Sequence, residues 1–464
     1  MNPIKYIITS TNVDKPYPLY TFAIWLYIVL LVFEGALRKW FLPSFATPLL
    51  LIRDPIVIWL VLVGLQKGWL DFIYVKAMMI VGTLSFVFSL VFGHHNLAVA
   101  LFGWRIYFFH FPMVFIIGQL LTRDDLLRIC RFFLYISIPM TILIVIQFYS
   151  PRTSWVNIGV GGEGTSGFSG ALGYMRPPGT FSFISGYVAF QLVVGCALFY
   201  YLIANNTLKK ECQIPYWLLI VILICYLVSI PTSISRTYFF QALVCAAFVL
   251  LAAVFKQNLR LKVILFSGFL LLAIALLSAT GMMDTNVSAF TARFEGANKA
   301  EGGIVEGTLG DRYLGGLLEA FSYGDIPILG YGLGLGTNVG SKLMSGNMYS
   351  FGFNGEVEWQ RIVGECGLIL GFSIIAIRLV FSLNLLRKSY SRLSQQLDLL
   401  PWMLSSGMIL SLPQGQWGIP TNLGFSILLG GLTLAAIRTS TIHSKQPTLT
   451  QLRQNNENTL LFSK

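Results

Sequence analysis

The sequence predicts an all-α polytopic membrane protein, and three observations support this fold class. Of the 464 residues, 55% are hydrophobic and only 11% are charged, whereas soluble domains carry about 25% charged residues. Apolar runs of about twenty residues recur along the chain, and each is long enough to cross a hydrocarbon core of ~30 Å. Lys and Arg are concentrated in every second connection between these runs, as expected for loops on one side of a membrane.

The apolar runs predict about twelve transmembrane helices and divide the chain into four parts. An N-terminal transmembrane bundle of about nine helices covers residues 1–280, and an external loop with a short amphipathic helix covers 281–357. C-terminal transmembrane helices cover 358–437, and a tail covers 438–464. The predicted spans are 20–37, 47–66, 74–93, 97–121, 126–149, 180–204, 215–233, 237–255, 261–280, 358–383, 400–413 and 420–437.

The distribution of Lys and Arg also predicts how the spans are oriented, because short cytoplasmic loops hold an excess of basic residues. Loops that contain Lys67, Arg128 and Lys209 fall on the same side as both termini, which are therefore predicted to be cytoplasmic. No small-residue cleavage site follows the first run, so it is expected to remain as a helix in the cytoplasmic membrane. The net charge of +12 then reflects topology, and nucleic-acid binding is not predicted.

The side predicted to be external is rich in arginine rather than lysine. Guanidinium groups suit bidentate contacts to phosphate, which is the chemical reason to single these residues out. The external arginines are Arg38, Arg152, Arg176, Arg236, Arg293 and Arg312, and they outnumber the external lysines, which are Lys39, Lys299 and Lys342.

Two arginines, Arg53 and Arg105, lie inside apolar runs. An unpaired cation in the membrane costs at least ~2.5 kcal/mol, so each of them needs a partner or a function. Arg53 is followed by Asp54, but adjacent helical residues do not face each other, so their partners are expected on other helices. A buried ion pair that holds the bundle together is favoured for Arg53. For Arg105, an ion pair and a contact to substrate both stay open.

Neither the cysteines nor the histidines show the spacing of a metal site, and no cofactor is expected. All six cysteines fall in spans or on the cytoplasmic side, which favours small core residues over an external disulfide framework. His110 lies within a span and has no second His or carboxylate at metal-site spacing, so a packed core residue is favoured.

The external loop contains a helix signal and a glycine-rich turn. Thr308 and Asp311 have capping-box spacing, and the apolar residues that follow repeat at helical intervals, so Arg312 is expected in the first turn of an amphipathic helix. Glycines at 330, 332, 334 and 336 do not fit the dinucleotide-binding pattern G-x-G-x-x-G. A close-packed turn is favoured there, and a nest of backbone amides around a phosphate or sugar is the alternative.

Four sequence segments together resemble the O-antigen ligase and O-antigen polymerase (Wzy-type) superfamily. DRYLGGLLEAFSYGDIPILGYGLG at 311–334 and EWQRIVGECGLILG at 358–371 are similar to the family's Arg-bearing helix, its P-x-x-G-x-G turn and its E-x-G helix start. SISRT at 233–237 and MRPPGTFSF at 175–183 resemble two further external segments of the family. The motifs cover roughly residues 175–375, and their order and their predicted side of the membrane make the combination more specific than any one of them.

The resemblance implies a C-type (GT-C-like) glycosyltransferase whose donor is a glycan on a polyprenyl diphosphate and whose acceptor is a hydroxyl of a glycan or glycolipid. The family's phosphate-binding arginines correspond to Arg236 and Arg312, and also to Arg176. Glu356 stands where the family often has His, and a carboxylate there can also accept the proton of the acceptor hydroxyl. Arg105 and Arg293 are further candidate substrate-binding residues.

Several alternatives remain open from the sequence. Glu356 or Glu358 could activate the acceptor hydroxyl. Pairing with Arg361 or neighbouring bases is favoured for Glu358 and Glu365, whereas for Glu356 pairing and catalysis both stay open. Polymerase and ligase carry the same donor chemistry and are not separated. A secondary transporter of a small solute is the leading alternative function, because about twelve spans with intramembrane arginines also suit a solute pathway. A non-catalytic component of a polysaccharide export complex is the other. The external aromatic residues Trp155, Tyr174, Trp359 and Trp417 suit either stacking on sugars or placement at the membrane interface.

Overall fold

The chain folds into a helical bundle. The computed structural model describes residues 17–164, 168–255, 283–301, 327–337 and 357–439, with a few single positions or pairs between these ranges. Ten of the described helices are long and apolar enough to cross a membrane, in agreement with the predicted class of all-α polytopic membrane protein. The sheet in this part of the chain is one antiparallel pair of two-residue strands.

The first half of the chain forms six helices and two π-helical turns. The π-helical turns are Leu37–Phe41, which continues the first helix, and Ile106–His110, which joins the fourth helix to the fifth. Thr122 begins the sixth helix with a capping box, in which its side chain and that of Asp125 each accept a backbone N–H of the other residue. The helices are α1 (Pro18–Ala36), α2 (Asp54–Gln66), α3 (Ile73–Val91), α4 (Leu97–Arg105), α5 (Phe111–Leu120) and α6 (Arg123–Tyr149).

The second half begins with a long connection that contains the two strands. The strands are β1 (Phe168–Ser169) and β2 (Met175–Arg176), in which Phe168 is paired with Arg176. The helices that follow are α7 (Ile184–Ala204), α8 (Tyr216–Thr232), α9 (Arg236–Phe255), α10 (Asp284–Glu301), α11 (Glu358–Gln396), α12 (Leu399–Ser411) and α13 (Pro420–Thr439).

Two of the twelve predicted spans are not among the ten helices. The span predicted at 400–413 is the apolar helix α12, which has only 13 residues. The span predicted at 261–280 lies almost wholly outside the described residues, so the number twelve stays a prediction. The span predicted at 358–383 is longer than expected, because α11 continues to Gln396.

The centre of the bundle is formed by α7, α13 and the α4–α5 pair. In the most apolar stretches of α7 and α13, 89% of the residues are buried, compared with 28% for α2, α3 and α9. The outer helices instead expose large apolar side chains such as Leu62, Leu84 and Leu250. Apolar side chains on the outside are stable when they face lipid, so this pattern fits a bundle surrounded by a bilayer.

Glycines allow α5 and α13 to pack closely. A Cβ atom on Gly118 of α5 would lie 2.5 Å from Leu434, and a Cβ atom on Gly431 of α13 would lie 2.6 Å from Ile117. Small residues at such contacts let two backbones approach, which is a usual way for membrane helices to gain packing energy.

The helices alternate in direction, so the bundle has two ends with different chemistry. At one end, here called the charged end, α1 and α12 finish while α2, α7, α9, α11 and α13 begin. Contacts between Arg53 and Pro420 and between Lys39 and Gly179 tie these termini together. At the opposite end, Arg123 pairs with Asp398 at 2.8 Å. The clusters described below all lie at the charged end.

Candidate functional site

The start of α11 carries a buried group of two arginines and two glutamates, here called the α11 cluster: Glu358, Arg361, Glu365 and Arg378. Helical spacing puts the first three on one face, where Arg361 reaches Glu358 at 3.0 Å and Glu365 at 2.8 Å. Arg378 reaches the same Glu358 oxygen at 2.6 Å. All four side chains are at most 1% exposed. The expectation that both glutamates pair with Arg361 is confirmed.

Hydrogen bonds from outside complete the α11 cluster. The backbone N–H of Trp417 donates to Glu358 at 3.0 Å, and the guanidinium of Arg378 lies 3.7 Å from the centre of the Trp417 ring. Arg378 also donates to the carbonyl oxygens of Leu412 and Gly415 at 3.0 and 2.8 Å. With two positive and two negative groups, the α11 cluster is balanced in formal charge and closely hydrogen-bonded. It fixes the start of α11 against the α12–α13 connection.

The glycine-rich turn packs directly on the α11 cluster. The N–H of Gly336 donates to the Glu365 carboxylate at 2.8 Å, and the N–H of Leu333 donates to Ser89 Oγ at 2.6 Å. The N–H groups of Tyr331 and Gly332 donate to carbonyl oxygens of α11 at 2.8 and 3.0 Å. These four amides have protein acceptors, so the expected close-packed turn is confirmed in preference to an anion nest.

Positive φ angles explain why glycine is needed at this contact. Gly330 has φ 77° and Gly367 has φ 76°, a region that side chains with a Cβ rarely adopt. Gly367 interrupts α11, and a Cβ atom on either glycine would collide with the backbone of the other segment. The E-x-G motif therefore combines a structural carboxylate, Glu365, with the backbone kink that admits the turn.

A second buried group lies where α1 ends and α2 begins. It is called the N-terminal cluster and consists of Glu34, Arg38, Lys39, Arg53, Asp54 and Arg105. Arg53 donates to Glu34 at 3.0 Å and to the carbonyl oxygen of Pro420 at 2.9 Å. Asp54 accepts from Arg105 at 2.7 Å. The partners of Arg53 and Asp54 are thus on other helices, as expected, and Arg53 forms the predicted buried ion pair.

His110 joins Asp54 and Arg105 at the π-helical turn between α4 and α5. Its Nε2 atom lies 3.1 Å from Asp54 and 3.2 Å from Arg105 Nη1. The residue is only 2% exposed, which agrees with the prediction of a packed core residue. Arg105 therefore has an ion-pair role, and its predicted role in substrate binding stays a prediction.

Arg38 and Lys39 lie in the π-helical turn after α1 and were predicted only as charges in an external connection. Lys39 is in fact 1% exposed, and its ammonium donates to Gly179 at 2.7 Å. Arg38 donates to Ala46 at 2.7 Å and to Ser182 at 3.2 Å. The segment MRPPGTFSF thus contributes Gly179 and Ser182 to the N-terminal cluster. The sequence did not lead us to predict this contact. Glu34, a carboxylate inside the first apolar run, does indicate that a buried cation lies near the end of α1.

A small hydrophobic cluster gathers the segments that carry three predicted site arginines. Phe148, Ile234 and Ala289 are buried together, with Tyr174 packed against them. Each of three of these residues is followed closely in sequence by a predicted site arginine. Arg176 follows Tyr174 and Arg236 follows Ile234 by two residues, and Arg293 lies one helical turn after Ala289. The structure therefore brings the segments of Arg176, Arg236 and Arg293 to one side of the charged end, while Arg105 belongs to the N-terminal cluster. Arg312 and Glu356 lie outside the described residues.

The aromatic residues expected on the external side divide into two groups. Trp417 is 1% exposed and Trp359 is 8% exposed, so neither ring is placed to stack on a sugar or to lie at the membrane interface, and the predicted side of the membrane stays a prediction. Trp417 is covered because Arg378 lies over its ring, and Tyr174 stacks on Phe148 with 4.6 Å between ring centres. Trp155, in contrast, is 64% exposed and stacks on Trp40 beside Lys39.

Comparisons with known proteins gave no relative. No model of a known protein family matches the chain, and a search of curated proteins finds no match either. Within the part of the chain that the structure describes, no group of three or more His, Cys, Asp or Glu is arranged to hold a metal ion.

Proposed function

We propose that this protein is a membrane glycosyltransferase of cell-surface polysaccharide assembly, of the O-antigen ligase or polymerase type. Its donor is a glycan on a polyprenyl diphosphate, and its acceptor is a hydroxyl of a second glycan or glycolipid. Arg176, Arg236 and Arg312 bind the diphosphate, with Arg293 as a further contact. Glu356 accepts the proton of the acceptor hydroxyl.

The observation that carries the proposal is the packing of the three separate segments in which Arg176, Arg236 and Arg293 lie. The hydrophobic cluster of Phe148, Ile234 and Ala289 supports all three segments at the charged end. A diphosphate leaving group needs cations that are already in position, because electrostatic stabilisation is strongest when the donors do not reorganise during the reaction. Three arginines on packed segments meet this requirement, and guanidinium groups match phosphate oxygens in geometry.

The reaction is a displacement at the anomeric carbon of the donor sugar. The acceptor oxygen forms a bond to that carbon, and the bond from the carbon to the diphosphate oxygen breaks. The polyprenyl diphosphate leaves with the electron pair, and the arginines stabilise its developing charge. The proton of the acceptor hydroxyl passes to the Glu356 carboxylate, which acts as the general base.

The α11 cluster supports this assignment by its position. Glu356 precedes Glu358 by two residues in the sequence. The Glu358 carboxylate is held by Arg361, Arg378 and the N–H of Trp417. A general base that is held in position contributes to catalytic rate. The α11 cluster is thus proposed to position the base and not to take part in the reaction.

The test is glycan transfer by purified protein in liposomes with a polyprenyl-diphosphate oligosaccharide. Arg236→Ala is expected to lower the turnover rate about a hundredfold or more, because a contact to the leaving group is lost. Arg128→Ala is the matched control, since Arg128 is 61% exposed in its side chain and lies at the opposite end. Equal turnover of Arg236→Ala, Arg312→Ala and wild type would reject the arginine site.

Two further readouts separate the alternatives. Glu356→Gln is expected to lose most of the turnover while donor binding is retained, and a rate near wild type would reject Glu356 as the base. Solute flux across the liposome membrane without glycan transfer would support a transporter instead. Products that lengthen on the donor lipid identify a polymerase, and transfer to a different acceptor identifies a ligase.

A further inference from the structure

The N-terminal cluster holds more positive than negative charge. Arg38, Lys39, Arg53 and Arg105 contribute four formal positive charges, and Glu34 and Asp54 contribute two formal negative charges. Among the residues that the structure describes, Glu34 and Asp54 are the acidic side chains that interact electrostatically with the arginines of the cluster. Lys39 has no carboxylate partner among the described residues. Its ammonium group contacts the Gly179 carbonyl oxygen and the Trp40 ring. Excess buried charge is unfavourable unless an anion compensates it or a group such as the Lys39 ammonium loses its proton.

Several guanidinium nitrogens of this cluster have no acceptor. Arg38 uses Nε and Nη1 but not Nη2, and Arg105 forms its hydrogen bonds through Nη1 alone. Arg105 Nε is buried without a hydrogen-bond partner among the described residues. Buried donors are nearly always satisfied in folded proteins, so these atoms indicate a missing acceptor.

The cluster is also reachable from outside the protein. The Arg38, Asp54 and Arg105 side chains are 12%, 14% and 10% exposed, whereas those of Glu34 and Arg53 are 4% and 3% exposed. The arginines with an unused Nη2 are therefore the accessible ones, and the excess charge of Lys39 lies directly beside Arg38. An anion that binds here would accept hydrogen bonds from the accessible Nη2 groups of Arg38 and Arg105, and the positive charge of Lys39 is buried beside Arg38.

We propose that the N-terminal cluster binds a phosphoryl dianion, with Arg38 as its principal contact. The excess of two formal positive charges matches the two negative charges of a phosphate monoester or of a diphosphate diester. Planar guanidinium groups bind phosphate oxygens in pairs, and the double negative charge of the ligand favours a phosphoryl group over a monovalent carboxylate. The proposal does not depend on the glycosyltransferase assignment, because it uses none of Arg176, Arg236, Arg293 or Arg312.

The experiment measures pyrophosphate binding to the full-length protein in detergent after lipid has been exchanged away. We expect inorganic pyrophosphate to raise the thermal unfolding midpoint and to give a saturable titration. Arg38→Gln is expected to weaken this binding about tenfold to a hundredfold, because a charge-assisted hydrogen bond is lost. Arg38→Lys should recover part of the affinity by restoring the charge. Arg128→Gln, at the opposite end, should bind as wild type does.

Two outcomes would overturn the proposal: no saturable pyrophosphate binding to the lipid-exchanged protein, or equal affinities in wild type and Arg38→Gln. If Arg38→Gln does not fold, Arg38→Lys and Lys39→Gln are titrated in its place, and unchanged affinity in both overturns the proposal equally. The source of the phosphoryl group is then identified with a soluble prenyl diphosphate and with nanodiscs that contain phosphatidic acid, the membrane phospholipid whose headgroup is a phosphate monoester. Competition by the prenyl diphosphate alone indicates a lipid-diphosphate ligand, and competition by the nanodisc lipid indicates a membrane phospholipid.

Discussion

The α11 cluster and the N-terminal cluster use the same residue types at the same end of the bundle, but they differ in stoichiometry and access. The α11 cluster pairs two arginines with two glutamates, and its side chains are at most 1% exposed. The N-terminal cluster sets four cations against two carboxylates, and Arg38, Asp54 and Arg105 are 10–14% exposed. A closed and balanced cluster can hold helices together, whereas an open cluster with excess charge has capacity for a ligand.

The largest effect is expected from breaking the balance of the α11 cluster. Glu358→Gln removes the carboxylate that both Arg361 and Arg378 contact and leaves two buried cations with one anion. The free energy of unfolding should fall by about 3–5 kcal/mol, the usual result of leaving a buried charge without its partner. Denaturation in detergent followed by Trp fluorescence measures this change. A shift as small as that of Arg128→Gln would mean that the cluster does not stabilise the fold.

A second change should restore part of that loss. In the double variant Glu358→Gln with Arg378→Met, one charge of each sign is removed and the Arg361–Glu365 pair remains. The double variant should be about 1–3 kcal/mol more stable than the sum of the two single variants predicts, because the two sites are in direct contact. A double-mutant cycle measures this coupling. Additive effects would show that charge balance is not what holds the cluster.

The N-terminal cluster should respond in the opposite way. Arg38→Gln removes one of the excess cations, so the lost hydrogen bonds to Ala46 and Ser182 and the lost ion pair with Glu34 at 3.4 Å are offset by reduced repulsion. We expect the unfolding free energy without anion to change by less than about 1 kcal/mol, while stabilisation by pyrophosphate falls. The same denaturation measurement, with and without pyrophosphate, tests both statements. A large loss of stability without anion would place this cluster in the same class as the α11 cluster.

The smallest effect is expected at the opposite end of the bundle. Arg128 lies 3.4 Å from Asp125, and its side chain is 61% exposed. Exposed ion pairs contribute little, so Arg128→Gln should change the unfolding free energy by no more than about 0.5 kcal/mol. The thermal midpoint and the pyrophosphate affinity should both match wild type. A larger change in the thermal midpoint or in the pyrophosphate affinity would show that exposed and buried charges do not differ in their effects in this protein.

Much of the fold follows from local sequence, and the exceptions have identifiable causes. Ten of the predicted spans correspond to described helices long enough to cross a membrane, since hydropathy over one run is enough to identify a span. The burial of Trp417 was not predicted, because it depends on Arg378, which lies 39 positions earlier in the sequence, on α11. Similarly, Lys39 sits next to an external connection in sequence, but its ammonium reaches Gly179, 140 residues away.

The candidate site shows the same division. The pairing of Arg361 with Glu358 and Glu365 could be predicted, because residues three and four apart on a helix face each other. The pairs Arg53–Glu34 and Arg105–Asp54 join different helices, so only the need for a partner could be predicted and not its identity. The packing of the segments that carry Arg176, Arg236 and Arg293 could likewise not be predicted, because it depends on contacts among Phe148, Ile234 and Ala289, which are far apart in sequence.

The sequence by itself determined that this is a multi-pass α-helical membrane protein, because transfer of an apolar run into lipid is a property of that run alone. It also determined that buried arginines must have partners, since an isolated cation in the membrane is unfavourable. Only the tertiary structure decided which cluster is balanced and which has positive charge in excess. Charge balance is a sum over residues from distant helices, and distances between helices are set by packing across the whole bundle.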